Sequence, residues 1–152
     1  MAIDVEQAKA SVFDLLQVEV ERGRLRFFAK VIGESDPVYV DLDAAHAAGH
    51  PDLPVPPTFL FSLTLERPRP LGYLEDLGVD LRHVLHGEQS FDYRHLAFAG
   101  DCLTLQDRVV DCFSKRGGAL DFVVKETGVH KEDELIAVLR SVIVVRHPEA
   151  GQ

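Results

Sequence analysis

The sequence predicts an α+β domain in which an antiparallel sheet wraps around one central buried helix. Three observations lead there. The first half of the chain breaks into short segments of helical spacing, punctuated by glycine and proline. One of these segments, held between two proline clusters, is apolar around most of its circumference. From His83 onward the apolar period shortens to two and stays so to Val145.

The elements follow in order. Leu16–Glu21 reads as a short strand ending at Gly23. From Arg24 to Gly33, Leu25, Phe28, Ala29 and Ile32 recur at helical spacing. Asp36-Pro37 ends that helix, because a proline ring disfavours helical geometry in the residue before it. Asp41–Ala48 reads as a second short helix, acid-capped at its start and closed by Gly49. Next comes HPDLPVPPTFLFSLTLERPRP, with a helix running from Thr58 to Glu66 between its prolines. Phe59, Leu60, Phe61, Leu63 and Leu65 surround that helix with apolar side chains, so it belongs in the interior. Leu71–Leu77 is a weaker helix ending at Gly78.

Four strands complete the chain. Val84–Arg94 places Leu85, Gln89, Phe91 and Tyr93 on a common face. Cys102–Phe113 and Leu120–Val129 are joined by the turn Ser114–Gly118, and Lys131–Glu134 turns into the last strand, Leu135–Val145. That strand is apolar on both faces except at Arg140 and Ser141, so it is expected at the centre of the sheet and covered on both sides. A long sheet curled over one apolar helix buries both, and this is the hotdog architecture.

Composition narrows the function classes. A chain of 152 residues without repeats or linkers reads as one domain over 1–152. A net charge of −9 repels polyanions and anionic bilayers, and the 16 Lys and Arg residues form no basic stripe. Neither nucleic acid nor membrane is an expected partner. A phosphate-bearing substrate would be met by local cations, for which Arg24, Arg26, Arg67 and Arg69 are available. The start MAIDVEQAKA lacks a basic-then-apolar signal, and no run approaches the ~20 apolar residues of a membrane span. A cytoplasmic protein is expected. Cys102 and Cys112, ten residues apart on one strand, would lie roughly 30 Å apart, which excludes a disulfide between them. They read as reduced packing thiols. Neither they nor the histidines have zinc spacing, and no metal or cofactor is expected.

Three stretches carry a resemblance: IGESDPVYVDLDAAHAAG, LPVPPTFLFSL and VLHGEQSFDYRHLAFAGDCL. The tail GALDFVVKETGVHKEDELIAVLRSVIVVR extends it. Together they resemble the hotdog dehydratases of the MaoC group, most specifically the FAS1-like dehydratase N-terminal subclass. The resemblance implies hydration or dehydration of acyl thioesters carried on coenzyme A or acyl carrier protein, by hotdogs that often work in pairs. Active members carry a loop G-D-x-N-P-x-H whose Asp and His activate water or remove the α-proton. Gly33 and Pro37 match it. Glu34 stands at the Asp position, Asp36 at the Asn position and Tyr39 at the His position.

That last exchange matters chemically. Imidazole trades protons near neutrality because its unperturbed pKa is ~6.5. A phenol near ~10 is protonated at pH 7 and makes a poor base. Tyr39 therefore fits the degenerate hotdog of a pair, which the resemblance implies shapes the acyl tunnel while its partner carries Asp and His. His86, beside Glu88 in LHGEQ, is the rival base. Strict alternation puts it opposite Leu85, Phe91 and Tyr93, at an interface or on the outer surface; a bulge at Gly87 would reverse that phase. His46 and His50 are explained by favourable contact with a helix C-terminus.

Pro56, Pro57 and Thr58 open the apolar helix. Proline has no N–H, so any donors for a thioester carbonyl come from Thr58 and Phe59. Pro57, Thr58, Phe59 and Gly87 are the residues expected to border the substrate. The expected candidates for chemistry are Glu34, Asp36, Tyr39 and His86. Three readings remain open: an acyl-thioester hydratase or dehydratase component, a non-catalytic acyl-binding subunit, and a thioesterase using Glu34 or Asp36 to activate water. An exposed sheet edge implies a dimer, with a second copy or with a catalytic MaoC-like subunit.

Overall fold

Among the described residues, five antiparallel strands carry the fold: Leu16–Glu19 (β1), Val84–Tyr93 (β2), Cys102–Lys115 (β3), Glu134–Arg146 (β5) and, between the last two in sequence, Leu120–Lys131 (β4). They pair in the order β1-β3-β4-β5-β2. A computed structural model describes residues 2–148, so the expected span of 1–152 runs past them at both ends. Among the described residues, five short α-helices accompany the sheet: Val5–Lys9 (α1), Arg22–Val31 (α2), Leu42–Ala47 (α3), Leu60–Thr64 (α4) and Gly72–Asp76 (α5).

One face of the sheet is the core face. Leu103 and Leu105 of β3, Val129 of β4 and Ala137 and Leu139 of β5 meet Leu60 and Leu63 of α4 and Leu25 of α2, all buried. Each such leucine adds about 1.5–3 kcal/mol over leaving it in water. A second cluster fills the other end of the same face, where Tyr73 and Leu74 of α5 pack on Val109, Val123, Ile143 and Val145.

The structure departs from the sequence reading in several places. The central helix is shorter than Thr58–Glu66: α4 starts at Leu60, after a turn in which the Phe59 N–H donates to the Pro56 carbonyl at 3.0 Å. Phe59, Leu60 and Leu63 are buried, but Leu65 is 52% exposed, so the helix is not covered all round. Helix α1 was not expected at all. Asp4 caps it, accepting from the Gln7 N–H at 2.8 Å, and Ala8 anchors it in the second cluster. Strand β5 lies between β4 and β2, and β4 holds the middle of the sheet. Beyond the irregular register at Ile136, which is itself buried, only one face of β5 is buried; Val138, Val142 and Val144 on the other are partly exposed. Cys102 is exposed and only Cys112 is a packing thiol; both are free.

The phase of β2 also differs. Its pairing with β5 slips between His86 and Glu88. His86 faces Ile143 while Gln89, Phe91 and Tyr93 face Ser141, Leu139 and Ala137, all positions of the core-facing register of β5. Leu85, expected on that face, points the other way and is 52% exposed. Gly87 is the residue that permits the slip, because the backbone there approaches its neighbour closely. A Cβ at this position would sit 2.9 Å from Val144 Cγ2 and 3.2 Å from the Val142 carbonyl oxygen.

Gly87→Ala is accordingly expected to destabilise the fold by about 1–3 kcal/mol, the cost of forcing an added group into a packed site. Urea unfolding measures it, and an unchanged midpoint would show that β2 needs no glycine there.

Candidate functional site

The loop after α2 is built from its own backbone demands. Gly33 leaves the helix with φ 73°, and the Glu34 N–H closes the turn on Ala29 O at 2.9 Å. Glu34 then accepts from the Asp36 N–H at 2.9 Å, and Asp36 from the Val38 N–H at 3.1 Å. The second bond caps the 3-10 turn Pro37–Tyr39. Arg26 Nε ties the loop back to α2 through the Val40 carbonyl at 2.9 Å.

This loop borders a depression of about 360 Å³ lined by Asp36, Tyr39, His50, Pro57, Tyr93 and Leu96, among others. Burial first, then the nearby Glu34 and Asp36 charges, hold the Tyr39 phenol above its ordinary pKa of 10.0. Both effects disfavour phenolate, so Tyr39 stays protonated at neutral pH and offers even less free base there than an exposed tyrosine. The Tyr93 hydroxyl donates to the Pro57 carbonyl at 2.5 Å, and its pKa too is pushed up, by burial and then by Tyr39. Tyr93 and half-buried His50 were not anticipated in this site. Alternation along β2 was the available signal for Tyr93. For His50 there was only its proximity to the loop's helix, whose end its backbone N–H closes on Ala45 O at 3.0 Å.

The expected chemical residues are not gathered in one place. Asp36 and Tyr39 line the loop depression. His86 lines a separate groove that shares no lining residue with it, and Glu34 lines neither. His86 is exposed; its Nε2 lies 3.1 Å from the Glu88 carbonyl and its ring 5.1 Å from that of Phe61. No bond to the Glu88 carboxylate orients it. Of the expected substrate neighbours, Pro57 borders the loop depression. Gly87 acts by setting the phase of β2. Phe59 is a correction: its N–H is committed to Pro56 O, and its buried ring packs edge-on against Phe28 at 5.3 Å under the Arg24 guanidinium. That leaves the exposed Thr58 alone at this turn. The four arginines all have partners: Arg24 with Glu66, Arg26 with Val40 O, Arg67 with Asp107, and Arg69 with Glu75 and Asp76.

The groove beside His86 holds about 500 Å³ and is largely apolar. Phe61 of α4, Leu65 just past its end, Leu71, Leu81, Val84 and Ile143 supply its walls. Behind them lies a buried polar cluster. Asp107 Oδ2 accepts from Arg67 Nε at 3.0 Å and Lys125 Nζ at 3.1 Å, while Oδ1 accepts from the Thr127 hydroxyl at 2.6 Å. A charge on the apolar register of a strand was the sequence signal for this cluster, at Asp107 in β3 and at Lys125 in β4. Among the described residues no helix is long and apolar enough to cross a membrane, and no group of three or more His, Cys, Asp and Glu side chains is placed to hold a metal.

A sheet in this order around a short buried helix, with a glycine-proline loop at its margin, defines a hotdog domain. The chain matches the FAS1-like dehydratase domain region over residues 7–139 and belongs to that family. It is 38% identical over 132 residues to a UPF0336 protein of Streptomyces griseus, covering 86% of this chain and 87% of the relative. Its fold is similar to that of a chain in the HadBC (3R-hydroxyacyl-ACP dehydratase) complex of Mycobacterium tuberculosis. The TM-score there is 0.75 at 21% identity, over 90% of this chain and 98% of that one. A chain of the ChsH1-ChsH2 complex of the same organism aligns with TM-score 0.77 at 23% identity, over 94% and 88% of the two chains.

Two expectations follow from the electrostatics. All three tyrosines are held above 10.0 by burial, so native phenols should ionise at higher pH than those of the urea-unfolded chain. The stability tied to them is complete below the unfolded value and lost as pH rises through the folded ones. Ultraviolet titration tests this, and coincident native and unfolded curves would refute it. Asp107→Ala should cost about 3–5 kcal/mol in urea unfolding, because it strands Lys125 and Arg67; a cost below ~1 kcal/mol, the scale of a surface pair, would show that the cluster is solvated.

Proposed function

We propose that this chain is the acyl-holding half of a paired hotdog that hydrates enoyl thioesters, or dehydrates 3-hydroxyacyl thioesters, of coenzyme A or acyl carrier protein. The observation that carries the proposal is the loop: the position of the family's imidazole holds a phenol whose surroundings keep it protonated at neutral pH. Hydration puts a hydroxyl on Cβ and a proton on Cα of the enoyl group. That proton traffic needs a base working near neutrality, which a partner hotdog with its own G-D-x-N-P-x-H loop supplies. The part left to this chain is to hold the acyl group, for which the apolar groove is suited.

The sheet supports a partner on geometric grounds. Strand β2 is ten residues long and pairs only with β5 among the described strands, so its other edge offers an unsatisfied ladder. Val84 and His86 belong to both that edge and the groove, so a partner strand there would border the acyl site. Two of the structurally similar chains come from two-protein complexes, which favours a heterodimer over a pair of identical chains. The cytoplasm, where free Cys102 and Cys112 stay reduced, suits this role. The thioesterase reading loses ground, because exposed Glu34 and Asp36 are occupied in capping the loop.

Purified alone, the chain should form dimers by light scattering yet leave crotonyl-CoA unhydrated. Paired with a MaoC-like hotdog that carries the full loop, it should support turnover. Tyr39→Phe should leave that rate within about twofold, less than 0.5 kcal/mol of barrier. Leu81→Trp, which fills the groove, should raise KM for decenoyl-CoA roughly tenfold more than for crotonyl-CoA. Steady hydration by the chain alone, lost on His86→Ala, would sink the proposal and make this chain the catalyst.

A further inference from the structure

The floor of the groove is not built for a plain hydrocarbon. Among the described residues, the Tyr73 hydroxyl is the one buried side-chain polar atom without a hydrogen-bond partner. Tyr73 is 7% exposed and lines the groove. Lys125 lines it too, at 8% exposure, with Nζ 5.7 Å from the centre of the Tyr73 ring. Both groups are donors. An ammonium has three N–H bonds, and one of those of Lys125 goes to Asp107. Burial of a donor without a partner is costly, so the arrangement calls for an acceptor.

The charge balance says which acceptor. In the buried cluster one carboxylate, Asp107, faces two cations, Arg67 and Lys125. Arg67 also directs one N–H of Nη1 to the Asp14 carbonyl and one of Nη2 to the Leu105 carbonyl. The unmatched positive charge is that of Lys125, which lines the groove while its Nζ also lies 5.9 Å from the centre of the Phe13 ring. At the rim, Arg69 pairs with Glu75 and Asp76, but these side chains are at least 46% exposed and screened by water. The neighbouring Ser141 hydroxyl donates to Gln89 Oε1 at 2.5 Å, so it offers the floor no free proton.

We infer that the groove takes an apolar chain whose buried end carries a carboxylate, received by the Tyr73 hydroxyl and the Lys125 ammonium. The inference rests on the groove being the acyl site and narrows its substrate class. The net charge of −9 gives no long-range attraction for such an anion, so selection is by contact within the groove. The carboxylate has two sources: a free fatty acid entering head first, or the far end of a dicarboxylic acyl thioester whose thioester stays at the mouth.

Calorimetric titration of the full chain at pH 7.5 tests this with four probes: decanoate, decan-1-ol, decanoyl-N-acetylcysteamine and the mono-N-acetylcysteamine thioester of decanedioic acid. Decanoate should bind roughly 10- to 100-fold tighter than decan-1-ol, the range for a charge-assisted hydrogen bond. Tyr73→Phe, which removes a hydroxyl without a partner, should keep or raise the urea midpoint, weaken decanoate about tenfold and leave decan-1-ol unchanged. Lys125→Met should abolish the preference; if it fails to fold, Tyr73→Phe decides alone. A carboxy-thioester tighter than decanoyl-N-acetylcysteamine supports the dicarboxylic source, and a gain confined to decanoate supports the free acid. Decanoate and decan-1-ol binding equally, or Tyr73→Phe keeping the ratio, overturns the anchor. If decanoyl-N-acetylcysteamine still binds in that case, the acyl groove survives; if no probe binds, both fall.

Discussion

A mismatch of lengths governs this molecule. Strand β5 has thirteen residues and extends about 43 Å at the strand rise, whereas the five residues of α4 rise about 7.5 Å. One helix cannot cover such a sheet. The core face is therefore closed in pieces, with α2, α4 and the Leu53–Val55 segment over one end and α5 with α1 over the other. Between the end of α4, at Phe61 and Leu65, and the approach to α5, at Leu71 and Tyr73, the cover is incomplete. The groove is that gap. Its apolar walls are core positions without a covering partner, which is why a ligand rather than another side chain can occupy them.

The same geometry separates the two kinds of chemistry. The loop that resembles a hydratase loop sits at the margin of α2 and α3, while the groove lies toward α5 and the β2 edge. A catalytic imidazole at Tyr39 would line the depression with Tyr93 and His50, not the groove with His86. His86 reaches its position only because Gly87 lets β2 slip by one residue against β5. It then faces the groove without a carboxylate to orient it, its nearest polar neighbour being the Glu88 carbonyl. An unoriented, exposed imidazole is an inefficient base, and its place at the sheet edge fits contact with a partner better.

The sheet was legible because period-two alternation is written directly into residues 84–145, and the glycine that breaks it could be noticed, though not decided, from sequence. Helix lengths were less legible. Phe59 and Leu65 look alike in composition, yet one is buried and the other exposed, because only the tertiary cover decides which sides of α4 meet protein. Helix α1 was missed because its five residues carry little periodicity and depend on docking Ala8 and Ile3 against β3 and β4. The buried cluster was marked only by charges on an apolar register, and its pairings were not legible for another reason. Asp107, Lys125 and Thr127 come together only through the register of β3 with β4, which includes a slip between Val109 and Asp111. Arg67, expected as a local cation for a phosphate, joins them from the proline-rich segment after α4.

The loop IGESDPVY keeps a recognisable shape for reasons that do not require catalysis. Gly33 supplies the left-handed turn out of α2, Pro37 starts the 3-10 turn, and Glu34 and Asp36 each accept a backbone N–H that the turn would otherwise leave unpaired. A carboxylate at position 34 or 36 is thus explained by capping alone, and resemblance at those positions carries little information about chemistry. The position with no such backbone duty is 39, where the side chain faces the depression and the choice between imidazole and phenol is free of the fold. That is where the chain departs from the active pattern, and where its surroundings drive the phenol further from proton exchange at neutral pH. The frame of the loop follows from how a helix must end; what the loop does follows from the one residue that the frame does not constrain.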